Sequence, residues 1–136
     1  MSNEATMLQF DWEEVDGVAV AAVLATGSRP MTDGSLVCDQ IALVLAAKAV
    51  VMRVNHDTDE VIVSLEDAAA MHDADWQTLG QLAEIVSRRL GWCWVGRNYR
   101  GYLDTFTIGL EGVDPAYSFT GAASRLQCAR VTRIAA

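Results

Sequence analysis

The segment from residue 91 to residue 104 constrains the fold of this chain more than any other part of its sequence. It holds two of the four tryptophans, two of the three tyrosines and two arginines. Its large side chains alternate on both sides of a glycine-containing break, which is the pattern of a β-hairpin. Residues 98–101 fit a type I turn closed by a glycine bulge. The sequence therefore predicts a hairpin with arms at about 92–98 and 102–110.

Most of the remaining chain also favours strands. Alternating or continuous apolar residues predict strands near 18–24, 37–45, 49–54, 61–65 and 126–134. Short polar turns separate several of these segments, as expected for a meander of adjacent antiparallel strands.

One stretch follows a helical period instead. Apolar residues recur at steps of three and four, which predicts one buried helix face formed by Trp76, Leu79, Ala83, Val86 and Leu90. Asp73 or Asp75 would cap the start of this helix, and Gly91 would end it. About seven strands and one main helix at about 75–90 predict an α+β domain, a bent antiparallel sheet packed on that helix.

The size and composition suit one domain over residues 1–136. The chain is 51% hydrophobic and 21% charged, which is typical of a globular protein with its own core. Residues 1–16 are polar and weakly periodic, so we expect a loosely docked N-terminal segment there. The longest apolar run, 41–51, contains Lys48 and is too short to span a bilayer. Without a signal-peptide pattern, we expect a cytoplasmic protein that does not enter the membrane.

The charge is negative and unevenly distributed. The formal net charge is -8. Residues 1–80 hold fourteen acids and three bases, whereas residues 81–136 hold seven arginines and four acids. An acidic chain repels nucleic acid and attracts basic partners, so nucleic-acid binding is disfavoured despite the C-terminal arginines.

No motif for chemistry is present, so the sequence assigns no catalytic residue, metal or cofactor. The three cysteines are widely spaced, which fits neither a disulfide framework nor a zinc site, and we expect buried thiols. The oxygen-rich turn at 55–60 lacks the glycine and the terminal glutamate spacing of a calcium loop. No serine or cysteine is placed with His56 and His72 to form a hydrolytic triad.

The hairpin supplies the candidate contact residues. Trp92 and Trp94 share one strand face, where paired aromatics are usually core, and an exposed binding platform is the alternative. Arg97, Tyr99 and Arg100 lie at the hairpin tip, where loop residues often carry function, although a solvated turn would look the same.

Asp104 is the acid that most needs an explanation. By its phase it points with Tyr102 and Phe106 toward the core, so it requires a hydrogen-bonding partner. Asn98 or an arginine of the tip would make Asp104 a clasp of the hairpin. A catalytic acid would need a second polar group that the sequence does not identify.

These residues also carry a resemblance. The pattern of residues 90–94, with Asn98, Gly101, Tyr102 and Asp104, resembles an uncharacterised family of small single-domain bacterial proteins, and the acidic turn at 57–60 matches more loosely. The resemblance implies a compact cytoplasmic domain and assigns no activity.

The leading hypothesis is a non-enzymatic protein-interaction domain of the accessory or immunity-protein type. It would bind a protein partner through its acidic surface and the hairpin loop. The candidate residues are Trp94, Arg97, Tyr99, Arg100, Tyr102 and Asp104. The alternative is a small-molecule binder or enzyme with a pocket between the Trp-rich sheet and the helix. A homodimer through a self-paired edge strand is a further possibility.

Overall fold

The structure, a computed structural model, describes residues 6–135, and two antiparallel sheets dominate this part of the chain. The first sheet consists of β1 (Ala22–Thr26), β4 (Gln40–Val44), β5 (Lys48–Val54), β6 (Val61–Asp67) and β7 (Gln77–Thr78). Its order is β6-β5-β4-β1-β7. Strands β4, β5 and β6 are consecutive and pair as antiparallel neighbours, which is the predicted meander.

The second sheet carries the aromatic hairpin at one edge. It consists of β2 (Arg29–Pro30), β3 (Leu36–Cys38), β8 (Leu90–Arg97), β9 (Leu103–Leu110), β10 (Pro115–Ala122) and β11 (Arg125–Arg130). Its order is β2-β3-β11-β10-β9-β8, so β8 is the outermost strand. The predicted hairpin is therefore present as β8 and β9, with a register shift near each end of β8.

The core lies between the inner faces of the two sheets. Alternate residues of each strand point inward, so Ile41 and Met52 of the first sheet meet Phe106 and Phe119 of the second in one buried cluster. A smaller cluster covers the outer face of the first sheet, where Trp76 packs beside the 3₁₀ helix Ala68–Met71. The outer face of the second sheet has no such cluster among the described residues.

The predicted α+β fold class is wrong, because residues 75–90 do not form a helix. This stretch contains the short strand β7, the 3₁₀ helix Gly80–Ile85 and the start of β8. Before Leu90, which is buried in β8, its buried residues are Leu79, Leu82 and Ile85, spaced by three as in a 3₁₀ helix, whereas Ala83 and Val86 are exposed. Apolar residues at steps of three and four along the sequence are compatible with this arrangement as well as with an α-helix, so the pattern alone does not distinguish the two.

The features interpreted as helix caps have other roles. The Asp73 side chain accepts the N–H of Asp75 at 2.8 Å, a local turn that precedes β7. Gly91 lies inside β8, and Ser87 adopts a positive φ of 74° just before that strand. In the described part of the chain, no helix is long and apolar enough to cross a membrane.

Several strand boundaries also differ from the prediction. The segment 37–45 divides into β3 and β4 at Asp39, so its two halves belong to different sheets. Strand β10 is absent from the predicted strands. The alternation of Tyr117 and Phe119 with small polar residues was the signal that could have revealed it.

Candidate functional site

The tip of the β8–β9 hairpin is held rigidly by its own polar groups. The Asn98 amide oxygen accepts the N–H of Arg100 at 2.9 Å, and the Asn98 carbonyl accepts the N–H of Gly101 at 2.9 Å. Gly101 has a φ of 90°, which suits the predicted glycine bulge. The Arg97 guanidinium donates to the Gly101 carbonyl at 2.7 Å and closes the tip from the side.

Tyr99 and Arg100 project from this tip into solvent. Tyr99 is 92% exposed, and the Arg100 guanidinium lies 5.6 Å from its ring centroid. The Arg100 Nε also donates to the Tyr99 hydroxyl at 3.0 Å. The two side chains thus form one preorganised group, an aromatic ring with a cation beside it.

The arginines at the tip differ from most of the other C-terminal arginines. Four of the seven lie within 4 Å of a carboxylate, in the pairs Arg88–Glu111, Arg125–Asp39, Arg130–Glu84 and Arg133–Asp114. Among the described residues, neither Arg97 nor Arg100 forms such a pair. The positive charge at the tip is therefore not neutralised by a neighbouring carboxylate.

Asp104 stabilises the same hairpin by accepting two side-chain hydrogen bonds. Its carboxylate accepts the side-chain N–H of Asn98 at 3.1 Å and the hydroxyl of Thr105 at 3.2 Å. Asp104 thus contacts Asn98, one of the clasp partners suggested by the sequence. Tyr102 is 41% exposed beside it, so the two do not share a buried face.

The acidic turn at 55–60 supports the second sheet. The Asp59 carboxylate accepts the N–H of Ser124 at 2.8 Å, in the turn between β10 and β11. The Glu60 carboxylate accepts the N–H of Leu103 at 2.9 Å, where β9 begins. These two acids therefore connect the turn before β6 to the hairpins of the opposite sheet.

The tryptophans of β8 lie on the outer face of the second sheet. Trp92 is 57% exposed, and its ring centroid lies 6.5 Å from that of Trp94, which is partly exposed. The expectation that the pair is core is wrong, because β8 is an edge strand and, in the part of the chain that the structure describes, no layer covers its outer face. Val95 is also 51% exposed, and the sequence analysis did not select it.

The second half of β8 is a free sheet edge. Residues 17–20 pair with residues 87–90 and so cover the sheet edge at the start of β8. For example, the N–H of Gly17 donates to the carbonyl of Leu90 at 2.7 Å. The Trp12 indole N–H donates a hydrogen bond to the carbonyl oxygen of Gly91. From residue 93 to residue 97, no backbone hydrogen bond outside the β8–β9 ladder occurs within the described residues.

The other sheet edges are short or partly covered. Strands β2 and β7 each contain two residues, and the Val63 backbone of β6 is bonded by Met7 and Gln9 of the N-terminal segment. Met7 and Val15 are buried, so residues 6–16 are part of the packed domain. Residues 1–5 of the predicted loose segment lie outside the described residues.

A family assignment accompanies this geometry. The sequence pattern of a family of unknown function, DUF6334, matches residues 1–135. The chain belongs to this family. The expectation of an uncharacterised family is thereby confirmed. Neither a curated protein nor a solved structure matches the chain.

Two clefts of the molecule lie away from the hairpin tip. One, of about 530 Å³, is polar and is lined by Thr26, Asp39, Gln40, Asp75 and Gln77 among others. A second, of about 250 Å³, lies beside Leu82, Tyr117 and Arg130. Residues 75–90 form no α-helix, so the expected pocket between an α-helix and the Trp-rich sheet is not present; the second cleft lies instead between the 3₁₀ helix Gly80–Ile85 and strands β10 and β11.

The titratable groups beside the second cleft are structural partners of one another. Glu84 accepts hydrogen bonds from the Tyr117 hydroxyl and the Arg130 guanidinium, and both lower the pKa of its carboxyl. Burial and the Glu84 carboxylate raise the pKa of Tyr117. A carboxylate that is easily ionised and a phenol that holds its proton form a stable contact rather than an acid–base pair.

Proposed function

We propose that this chain is a non-enzymatic protein-interaction domain of the accessory or immunity-protein type, with the tip of the β8–β9 hairpin as its contact site. The single observation that carries the proposal is the exposed Tyr99–Arg100 pair on a tip fixed by hydrogen bonds. Tyrosine and arginine are the residue types that dominate binding hot spots, and a rigid tip limits the entropy cost of binding.

The charges indicate the kind of partner that would suit this site. With a net charge of -8, the domain attracts a basic protein at long range. At the tip itself, Arg97 and Arg100 have no carboxylate partner among the described residues, so the matching point on the partner is an acidic or aromatic pocket within a basic surface. Nucleic acid is a poorer partner, because four C-terminal arginines are already paired with acids.

The proposal includes a cytoplasmic location. All three cysteines are free in the structure, as expected for a protein kept in a reducing compartment.

The test compares capture of proteins from a native lysate of the source cells by the immobilised wild type and by a Tyr99→Ala/Arg100→Ala variant. We expect a specific partner, identified by mass spectrometry, to be retained by the wild type and weakened at least about tenfold in the variant. Both side chains are exposed, so circular dichroism should show an intact fold.

A matched control removes a similar pair of side chains elsewhere. Arg29 in β2 and Met31 directly after this strand are both exposed, so an Arg29→Ala/Met31→Ala variant should retain the partner fully. Equal retention by the wild type and the tip variant would contradict the assignment of the site. If neither form captured any protein, the interaction function itself would be refuted.

A further inference from the structure

We propose that the free edge of β8 pairs antiparallel with the β8 edge of a second copy of this chain, forming a two-fold dimer with one continuous sheet. This interface borders the hairpin tip at Arg97 but does not use Tyr99 or Arg100, the pair that carries the proposed contact site. It is argued from the backbone groups, the side-chain shapes and the charges of the edge.

The backbone groups of two residues are directed away from the sheet. Trp92 donates its N–H to the Gly112 carbonyl at 3.0 Å, on the side of β9. At the other end of the strand, Asn98 donates its N–H to the Tyr102 carbonyl at 2.9 Å, also on the side of β9. Successive residues of a strand direct their backbone groups to opposite sides, so Cys93 and Val95 direct theirs to the free edge. Such an unpaired edge with exposed apolar side chains is a template for another strand.

One register uses these free groups fully. In this register the two-fold axis passes beside Trp94. Cys93 of each copy then faces Val95 of the other copy, and each of these two pairs exchanges two backbone hydrogen bonds. An axis beside Cys93 would instead oppose Val95 to Gly91, whose carbonyl is already occupied by the Trp12 indole. An axis beside Val95 would oppose Cys93 to Arg97, where the β8–β9 pairing has a register shift.

The side chains of the outer face fit the same register. Trp92 lies opposite Gly96 of the second copy, where the missing side chain leaves room for an indole ring. An aromatic residue across from a glycine is a known stabilising pair in sheets. Trp94 meets Trp94 of the second copy at a non-hydrogen-bonded position, where side chains approach most closely. The pairing covers Trp92 on this face, which is 57% exposed in the single chain, and Val95 on the opposite face, which is 51% exposed.

The charges along the β8 edge of one copy complement those along the same edge of a second copy when the two strands run antiparallel. Arg97 ends β8, whereas Asp16 lies beside its beginning, because its neighbour Gly17 is bonded to Leu90. Antiparallel pairing brings Arg97 of each copy toward Asp16 of the other. Two favourable contacts therefore form at opposite ends of the interface, while a parallel arrangement would place like charges together.

The first measurement is the molar mass of the full chain by sedimentation equilibrium, from about 1 to 200 µM at about 0.15 M salt, which screens the repulsion between two acidic chains. We expect the mass to rise from the 14.7 kDa of the monomer to twice that value. A monomer at the highest concentration would overturn the proposal.

The interface is then tested with a variant and its matched control. The Val95 N–H does not belong to the β8–β9 ladder, so Val95→Pro removes a donor needed only by the second copy, and proline is tolerated at sheet edges. We expect the dimer dissociation constant to rise at least about tenfold with Val95→Pro and to change less than about threefold with Val95→Thr. Equal effects of the two variants would overturn the strand pairing.

A charge exchange tests the antiparallel arrangement without altering the backbone at the edge. Asp16→Arg and Arg97→Glu should each weaken the dimer, and the double variant should recover most of the loss. Failure of the double variant to recover would overturn this arrangement. The Tyr99→Ala/Arg100→Ala variant should still dimerise, so loss of partner capture at the tip and loss of dimerisation are distinguishable.

Discussion

Trp12 donates its indole N–H to the carbonyl oxygen of Gly91 at 2.8 Å, and this contact marks the point on β8 where the covered edge ends and the free edge begins. The same indole meets the ring of Phe106 edge-on, with the centroids 5.7 Å apart. One side chain of the N-terminal segment therefore joins the core, satisfies a backbone group and limits the edge available to another strand.

Replacing Trp12 separates its two contributions. Trp12→Phe keeps an aromatic ring but loses the donor, so we expect the free energy of unfolding to fall by about 1 kcal/mol. Trp12→Ala also loses the contact with Phe106, and we expect a loss of about 3 kcal/mol or more. Urea denaturation followed by far-ultraviolet circular dichroism measures both. If the two variants were equally stable, the ring packing would contribute nothing and our interpretation would be wrong.

Gly121 in β10 is required by a close backbone approach. A Cβ at this position would lie 1.9 Å from the carbonyl oxygen of Asp59, so Gly121→Ala forces the acidic turn away from the sheet. We expect a loss of about 2–3 kcal/mol in the free energy of unfolding. Gly112→Ala is the control, because a Cβ there meets nothing within 4 Å. A Gly121→Ala protein as stable as this control would contradict the close packing of the turn.

The Arg53–Glu66 pair on the first sheet should make stability depend on pH. The hydrogen bond from Arg53 lowers the pKa of Glu66 below its ordinary value of 4.5. Stability from a lowered pKa is present above the ordinary value and is lost as the pH falls through the lowered one. Wild type should exceed Glu66→Gln by about 1 kcal/mol at pH 7, with a gap that closes in acid.

Chemical denaturation between pH 7 and pH 3 checks this dependence. Glu13→Gln removes the same charge from an exposed N-terminal position and controls for net charge. A gap between wild type and Glu66→Gln that stayed constant with pH would show that the ionised pair does not contribute.

The thiol of Cys93 should react slowly although it lies on the edge strand. Burial raises its pKa from 9.0 to about 11, and the charge of Asp16 acts in the same direction. At pH 8 its thiolate is therefore about a hundredfold rarer than that of an ordinary cysteine. Alkylation by iodoacetamide, located by peptide mass mapping, should be slower by a comparable factor. Reaction at the rate of a small free thiol would contradict this environment.

The aromatic hairpin was predictable because its information is local. Alternation of side chains defines the two arms, and the residues from Asn98 to Gly101 specify the turn through one amide side chain and one positive φ. The same holds for the meander of β4, β5 and β6, whose strands are neighbours along the chain. Each of these elements needs only short-range contacts to be recognised.

The predicted helix at 75–90 is wrong because its apolar pattern arises from contacts with distant parts of the chain. Trp76 is covered by the outer cluster of the first sheet, whereas Leu79, Leu82 and Ile85 belong to the main core. Residues buried against different layers produced an apolar period close to that of a single helix. Only the positions of the two sheets show whether such a pattern comes from one buried helix face or from residues buried against different layers.

The sequence by itself determined the local elements, the negative charge and the exposed chemistry of the tip, because each depends on neighbouring residues or on composition. The tertiary structure alone decided which strand is the outermost, and therefore that Trp92 and Val95 face solvent and that the carboxylates of Asp59 and Glu60 hold the opposite sheet. The physical reason is that sheet order depends on contacts between residues far apart along the chain, and a local pattern does not specify its distant partner.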